Sequence, residues 1–199
     1  MEIIVCSFSI LSKIIYSHNK TLISDIKNVF ITSFSTINMK KRINRINWKV
    51  LIVSLVVVYL VAFVGSLFTS PVTDSEWYDS IRPSITPPNW IFPIVWNVLF
   101  FLIALSLYFS WINARKPDVK KKIAVVFGIN FLLNIFWSVL YFGLKNPFYA
   151  FIEIFVLWIS IVSMIYVSYK VDKKAGWLLV PYLLWVSFAI VLNYLSVWG

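Results

Sequence analysis

Residues 123 to 144 read IAVVFGINFLLNIFWSVLYFGL, a stretch of 22 positions without a charge. An α-helix rises about 1.5 Å per residue, so roughly 20 apolar residues carry it across the hydrocarbon of a bilayer. Four further stretches reach that length: 50 to 73, 83 to 114, 146 to 169 (broken once, by Glu153) and 175 to 199. A transmembrane β-barrel is excluded, because its strands alternate apolar and polar residues over about 10 positions. Composition agrees: of 199 residues 60% are hydrophobic and 13% charged, where soluble domains carry about 25% charged residues. Mean hydropathy is +0.84. The expected fold is an all-α integral membrane protein, a bundle of five transmembrane helices at about 50–69, 89–112, 123–143, 147–169 and 176–197.

Charge orients the bundle. Lys40, Lys41, Arg42, Arg45 and Lys49 precede the first span, whereas the first loop carries Asp74, Glu76, Asp79 and Arg82. The second loop is basic again (Arg115, Lys116, Asp118, Lys120, Lys121, Lys122), the third has Lys145 alone, and the fourth has Lys170, Asp172, Lys173 and Lys174. Positive loops alternate, which sets the N-terminus in the cytoplasm and the C-terminus and first loop on the opposite side. The net charge of +10 is thereby a topology signal, and no nucleic-acid partner is expected. A single cysteine, Cys6, and a single histidine, His18, leave no disulfide and no His-bearing metal cluster within one chain, so neither metal nor cofactor is expected. Residues 1–47 do not conform to the rest and read as an N-terminal tail ahead of a membrane domain over 48–199. The tail fails as a signal peptide, since Lys13 interrupts its apolar stretch, and Met39, followed by basic residues and a span, is an alternative start.

Ten tryptophans are the next anomaly. Trp48, Trp77, Trp90, Trp111, Trp177 and Trp198 sit near span ends, where indoles favour the headgroup region. Trp96, Trp137, Trp158 and Trp185 lie deeper. Hydrocarbon offers no partner for an indole N–H, so these four should face other helices or a cavity. Helical spacing sets Trp96 with Phe100, Asn134 with Trp137, and Pro181 with Trp185 and Ala189, each on one face. Interhelical packing explains such faces; if they converge, Trp96, Phe100, Asn134, Trp137, Trp185 and Ala189 form an aromatic box suited to a flat apolar ligand. Asn130 and Asn193 are read as interhelical hydrogen-bonders, and Glu153 as making a bundle-stabilising hydrogen bond ahead of serving a proton relay. Trp77, Arg82, Pro87, Pro88 and Trp90 make the first loop stiff, either as a lid over a pocket or as interfacial anchors with Pro88 starting the second helix. The sequence contains no phosphate cradle, nucleophile with a base, or paired carboxylates, so no catalytic residue is assigned. Ala124 and Gly128, four apart, form a small-xxx-small pair able to seat a second helix.

The run Trp77-Tyr78, Arg82-Pro83-Ser84, Thr86-Pro87-Pro88-Asn89-Trp90 and Val95-Trp96 resembles the tryptophan-rich sensory protein and translocator protein family (TspO/MBR, the peripheral-type benzodiazepine receptors). The resemblance continues through Asn134, Trp137-Ser138 and Tyr141-Phe142, then WLLVPYLLW at 177–185 and Leu192-Asn193-Tyr194. It implies a five-helix bundle, commonly a homodimer through the third helix, here Ala124 and Gly128. It also implies a pocket beneath the first loop for porphyrin-type tetrapyrroles and synthetic benzodiazepine- or isoquinoline-type ligands, with Trp96, Phe100, Asn134 and Trp185 at pocket positions. The expected function is a membrane receptor, sensor or carrier for such ligands. The alternative is a light- or oxygen-dependent porphyrin-degrading enzyme with Trp96 and Trp185 as reactants. Two departures stand out: Ile85 replaces a Trp of the family's loop motif, and no Lys or Arg follows Tyr194, leaving a cholesterol motif incomplete, so sterol transport is not carried over.

Overall fold

The computed structural model describes residues 46–199; Met39 and the tail through residue 45 lie outside them. Among the described residues the chain is helical, with five stretches long and apolar enough to span a membrane. Helix α1 is Trp48–Thr69, started by Asn47, whose side chain accepts from the Val50 amide at 3.3 Å. A short helix, α2 (Glu76–Ile81), lies within the first loop and is capped by Ser75. Helix α3 runs Ile91–Asn113 and α4 Pro117–Ser138, the latter continuing into a π turn at Val139–Gly143. Helix α5 is Pro147–Val171, capped by Asn146; α6 is Lys173–Trp177, capped by Asp172; and α7 is Val180–Trp198.

Three boundaries differ from the sequence expectation, each for a local reason. The third span begins at Pro117, six residues early, because Pro at the first position and Asp118 in the first turn favour helix where the basic run had suggested loop. Pro88 does not start the second helix: its carbonyl accepts from the Ile91 amide at 2.9 Å in the turn before α3. Pro181 falls inside the expected fifth span, 176–197, but not inside a continuous helix. It stands in the first turn of α7, where its missing N–H costs no hydrogen bond, and the break lies just before it, at Leu178 and Leu179.

The helices close a ring in the order α1, α3, α6 with α7, α5, α4, and α5 packs on α4, α6 and α7. Lipid tails are as apolar as leucine, so burying hydrocarbon drives helix association weakly in a membrane, and packing with hydrogen bonds takes its place. The burial pattern follows: Val53, Leu60, Leu132, Ile159 and Leu184 face outward, while Ser54, Ser106, Asn130, Asn134, Glu153, Ser160 and Asn193 are buried beside Ile103, Phe127, Ile154 and Met164. The polar groups tie helices together. Asn130 Nδ2 donates to Ser160 Oγ at 2.8 Å, joining α4 to α5; Trp158 Nε1 donates to Ser187 Oγ at 2.9 Å, joining α5 to α7; and Ser106 Oγ donates to the Ala175 carbonyl at 2.8 Å, joining α3 to α6.

Candidate ligand-binding cavity

The deeper tryptophans are held by one another's neighbours. On α3, Trp96 stacks on Phe100 with ring centroids 5.2 Å apart and meets Tyr182 of α7 edge-on at 6.2 Å. On α7, Trp185 meets Phe92 of α3 at 5.9 Å, T-shaped. On α4, Trp137 stacks on Tyr141 at 5.2 Å, and its Nε1 donates to Asn193 Oδ1 at 3.0 Å. Asn193 in turn donates to the Pro147 carbonyl at 3.0 Å, so one asparagine satisfies an indole and the start of α5. Asn134 Nδ2 donates to the Tyr182 hydroxyl at 3.1 Å, and that hydroxyl donates to Asn130 Oδ1 at 3.4 Å. The polar groups around the box are therefore largely committed to protein partners, which fixes the rings without consuming their faces.

Between these helices and beneath the first loop lies a cavity of about 510 Å³. Trp96, Phe100, Asn134, Trp137, Trp185 and Ala189 all line it. Pro181 does not; it borders a separate apolar groove between α3 and α7, whose inner wall is the same Trp185. Glu153 is buried close by on α5 but does not line the cavity, and among the described residues neither of its carboxyl oxygens has a hydrogen-bond partner, so the bundle-stabilising hydrogen bond expected of it is not made there.

The first loop roofs the cavity through residues other than those expected of a lid. Trp77, Arg82, Pro87, Pro88 and Trp90 are absent from the lining, and Tyr78, Pro83, Thr86 and Asn89 are present. The five are engaged elsewhere or exposed. Trp77 turns onto Tyr141 at 6.2 Å and carries Lys145 Nζ over its ring at 5.7 Å. Arg82 donates through Nη2 to the Pro87 carbonyl at 2.9 Å and lies 5.9 Å from the Tyr78 ring centre, stapling the loop. Trp90 immediately precedes α3 and is 66% exposed. Burial pushes the Tyr78 phenol above its ordinary pKa, and the Arg82 guanidinium opposes the shift.

The sequence expectation also lacked a wall from α1. Tyr59, Phe63, Ser66 and Thr69 supply it, and the hydroxyl-bearing run Ser66, Thr69, Ser70 at the end of an otherwise aliphatic span was the available signal. The lining residues that are exposed belong to this helix and its end (Tyr59, Phe63, Ser66, Ser70) and to α3 (Pro93, Asn97), so the cavity opens sideways between α1 and α3. The Tyr59 hydroxyl spans that opening, donating to the Asn97 carbonyl at 3.4 Å.

The sequence profile of the TspO/MBR family matches residues 52–198, the whole of the helical ring apart from its first turn. The chain belongs to the TspO/MBR family. It is 40% identical to the tryptophan-rich protein TspO of Archaeoglobus fulgidus over 147 residues, which covers 72% of this chain and 92% of that protein. It is 29% identical to the tryptophan-rich sensory protein of Cereibacter sphaeroides over 120 residues (60% and 73%). Against the human translocator protein it is 29% identical over 140 residues (68% and 80%). This TspO/MBR protein is an integral, multi-pass membrane protein, and the matched segment contains the cavity wall of every span together with the roofing loop.

Proposed function

We propose that this protein is a membrane receptor or carrier that holds a flat, largely apolar ligand of the porphyrin type in the cavity under its first loop. The observation that carries this reading is the meeting of Trp96, Phe100, Trp137 and Trp185, from three separate helices, around one space of about 510 Å³. That volume is in the range of drug-sized ligand sites, about 300 to 1,000 Å³. Ring faces supply stacking, and the amides that could compete for water are already bonded to protein. None of the lining residues is Asp, Glu, His, Lys or Arg. Holding a ligand needs no acid–base pair, whereas degrading one would rest on the indoles alone.

The N-terminal end of α1 faces the cytoplasm in this reading, with the roofing loop on the far side, because Lys49, the Arg115–Lys122 segment and Lys170–Lys174 share one end of the bundle. The partner is a second copy. Ala124 is exposed, and among the described residues a Cβ added at Gly128 would have no neighbour within 4 Å, so this small face of α4 points away from the helical ring and is open to an isologous contact.

Titration of the purified protein with protoporphyrin IX, followed by tryptophan quenching, tests the function. Quenching that saturates near one ligand per chain is the expected result, with the ligand's absorption spectrum unchanged beyond a binding shift. Quenching that rises linearly without saturating would sink the reading. A new absorption product that forms only with protein and light would replace it with degradation.

A further inference from the structure

We infer that the apolar groove between α3 and α7 is a binding site for one acyl chain of a bilayer lipid and, resting on the proposed function, that this chain and the cavity ligand act on each other through Trp185, the wall they share. The groove follows from the way the last span is built. Helix α3 packs on α1 and α6 and only lightly on α7, with Ser106 Oγ tied to the Ala175 carbonyl at 2.8 Å. Past the break at Leu178 and Leu179, α7 leaves a space of about 500 Å³ between itself and α3. Val95, Leu99 and Trp185, buried or half-buried, form its floor, and Ile94, Val98 and Leu184 are exposed at its rim.

Position and chemistry together select the occupant. Both helices are spans, so the rim opens on hydrocarbon and is continuous with the lipid-facing surface. The lining carries no charge, hydroxyl or amide side chain, and so has nothing with which to hold a lipid headgroup or a polar ligand. It also contains no Gly, Ala, Ser or Thr, the small residues that let a second helix approach closely, and its branched and aromatic side chains would hold a helix off the floor. A flexible hydrocarbon chain meets neither obstacle, and it restores the dispersion contacts that the floor atoms would lack beside a void.

Trp185 lines both the groove and the cavity. Phe92, which lines the cavity, meets its ring at 5.9 Å, and Phe188, which lines the groove, meets it at 5.8 Å. Trp137 and Trp158 are pinned through Nε1 to Asn193 and Ser187. Among the described residues the Trp185 N–H has no such acceptor, so the set of its ring depends on what packs against it. A chain lying in the groove therefore holds the indole against the cavity, and by linkage a ligand in the cavity favours the chain to the same degree.

Photolabelling of the wild-type protein in nanodiscs of phosphatidylcholine with a diazirine in one acyl chain, the labelled positions being read by mass spectrometry, tests the site without any ligand. Residues 94–99 and 181–188 are expected to be labelled at least about threefold more than Leu60 and Ile159, aliphatic side chains exposed on α1 and α5. Labelling no higher in the groove than at those positions overturns the site. Val98→Ala with Leu184→Ala lowers both rims without altering a residue that lines the cavity, and in the same lipid should weaken protoporphyrin IX binding roughly fivefold. Val98→Phe, which sets a ring where the chain lies, should lower groove labelling and keep affinity within about twofold of the parent. Parental affinity in the double alanine variant, or an equal loss in Val98→Phe or in a Leu60→Ala, Ile159→Ala control, overturns the coupling. If the wild type binds no porphyrin saturably, the proposed function and the coupling fall together, while the labelling still decides the groove.

Discussion

Trp137 and Asn193 show how a side chain's chemistry fixes its address in this bundle. An indole N–H at membrane depth must find an acceptor, and Asn193, 56 positions away in sequence, supplies it at 3.0 Å while its amide holds the Pro147 carbonyl. Asn193→Ala leaves the indole without its acceptor and removes the tie to the start of α5. A loss of about 1 to 2 kcal/mol is expected, read as a lower unfolding midpoint in detergent, and a midpoint equal to that of the parent would contradict the assignment. Requirements of this kind are legible in sequence, which is why depth within a span is enough to separate Trp96, Trp137 and Trp185 from the interfacial tryptophans. The loop was less legible. Trp77 and Tyr78 are adjacent aromatics of similar propensity, and which one turns inward is decided by the register of a short helix and by contacts with Tyr141, Phe142 and Lys145, all distant in sequence.

At the scale of elements, the spans announce themselves by length and their ends by caps, while the irregular joints do not. The π turn closes through the Leu144 amide on the Val139 carbonyl at 2.7 Å, and the following turn through the Asn146 amide on the Leu140 carbonyl at 3.0 Å, with Lys145 at a φ of +50°. Nothing in VLYFGLKN marks these bonds, since the same residues would continue an α-helix. The joint between α5 and α6 is tighter still. A Cβ built on Gly176 would lie 2.7 Å from Tyr169 Cβ and 2.9 Å from its Cα, whereas one built on Gly65 would meet only Ser138 Oγ, at an ordinary 3.5 Å. Gly176→Ala should therefore cost about 1 to 3 kcal/mol through displaced backbone, and Gly65→Ala should be neutral or stabilise by up to about 1 kcal/mol through helix propensity. Thermal unfolding of the two variants side by side checks the contrast; equal midpoints would show that the close approach at Gly176 is not tight.

For the whole molecule, the outward small face of α4 and the inward aromatic cavity make separable claims. With Cys6 replaced by Ser, a Gly128→Cys variant is expected to cross-link as a dimer in membranes; a Cys at Leu184, which is also exposed but on α7, is expected not to. The reverse pattern would move the interface to the other side of the ring. The five-helix architecture was readable because hydrophobic run length is a one-dimensional signal. The cavity was readable only in part, because α1 contributes ordinary residues, Tyr59, Phe63 and Ser66, that become a wall only when the ring closes. The central claim is that this aromatic cavity is where the ligand sits, and the affinity of a Trp96→Ala, Trp185→Ala double variant for protoporphyrin IX tests it most directly. Both tryptophans line the cavity, whereas Trp90 and Trp198, 66% and 54% exposed, do not. The account expects the first double variant to lose roughly a hundredfold in affinity or more, from two lost stacking contacts and the area buried with them, while a Trp90→Ala, Trp198→Ala control binds like the parent. Parental affinity in the first variant, or an equal loss in both, would contradict it.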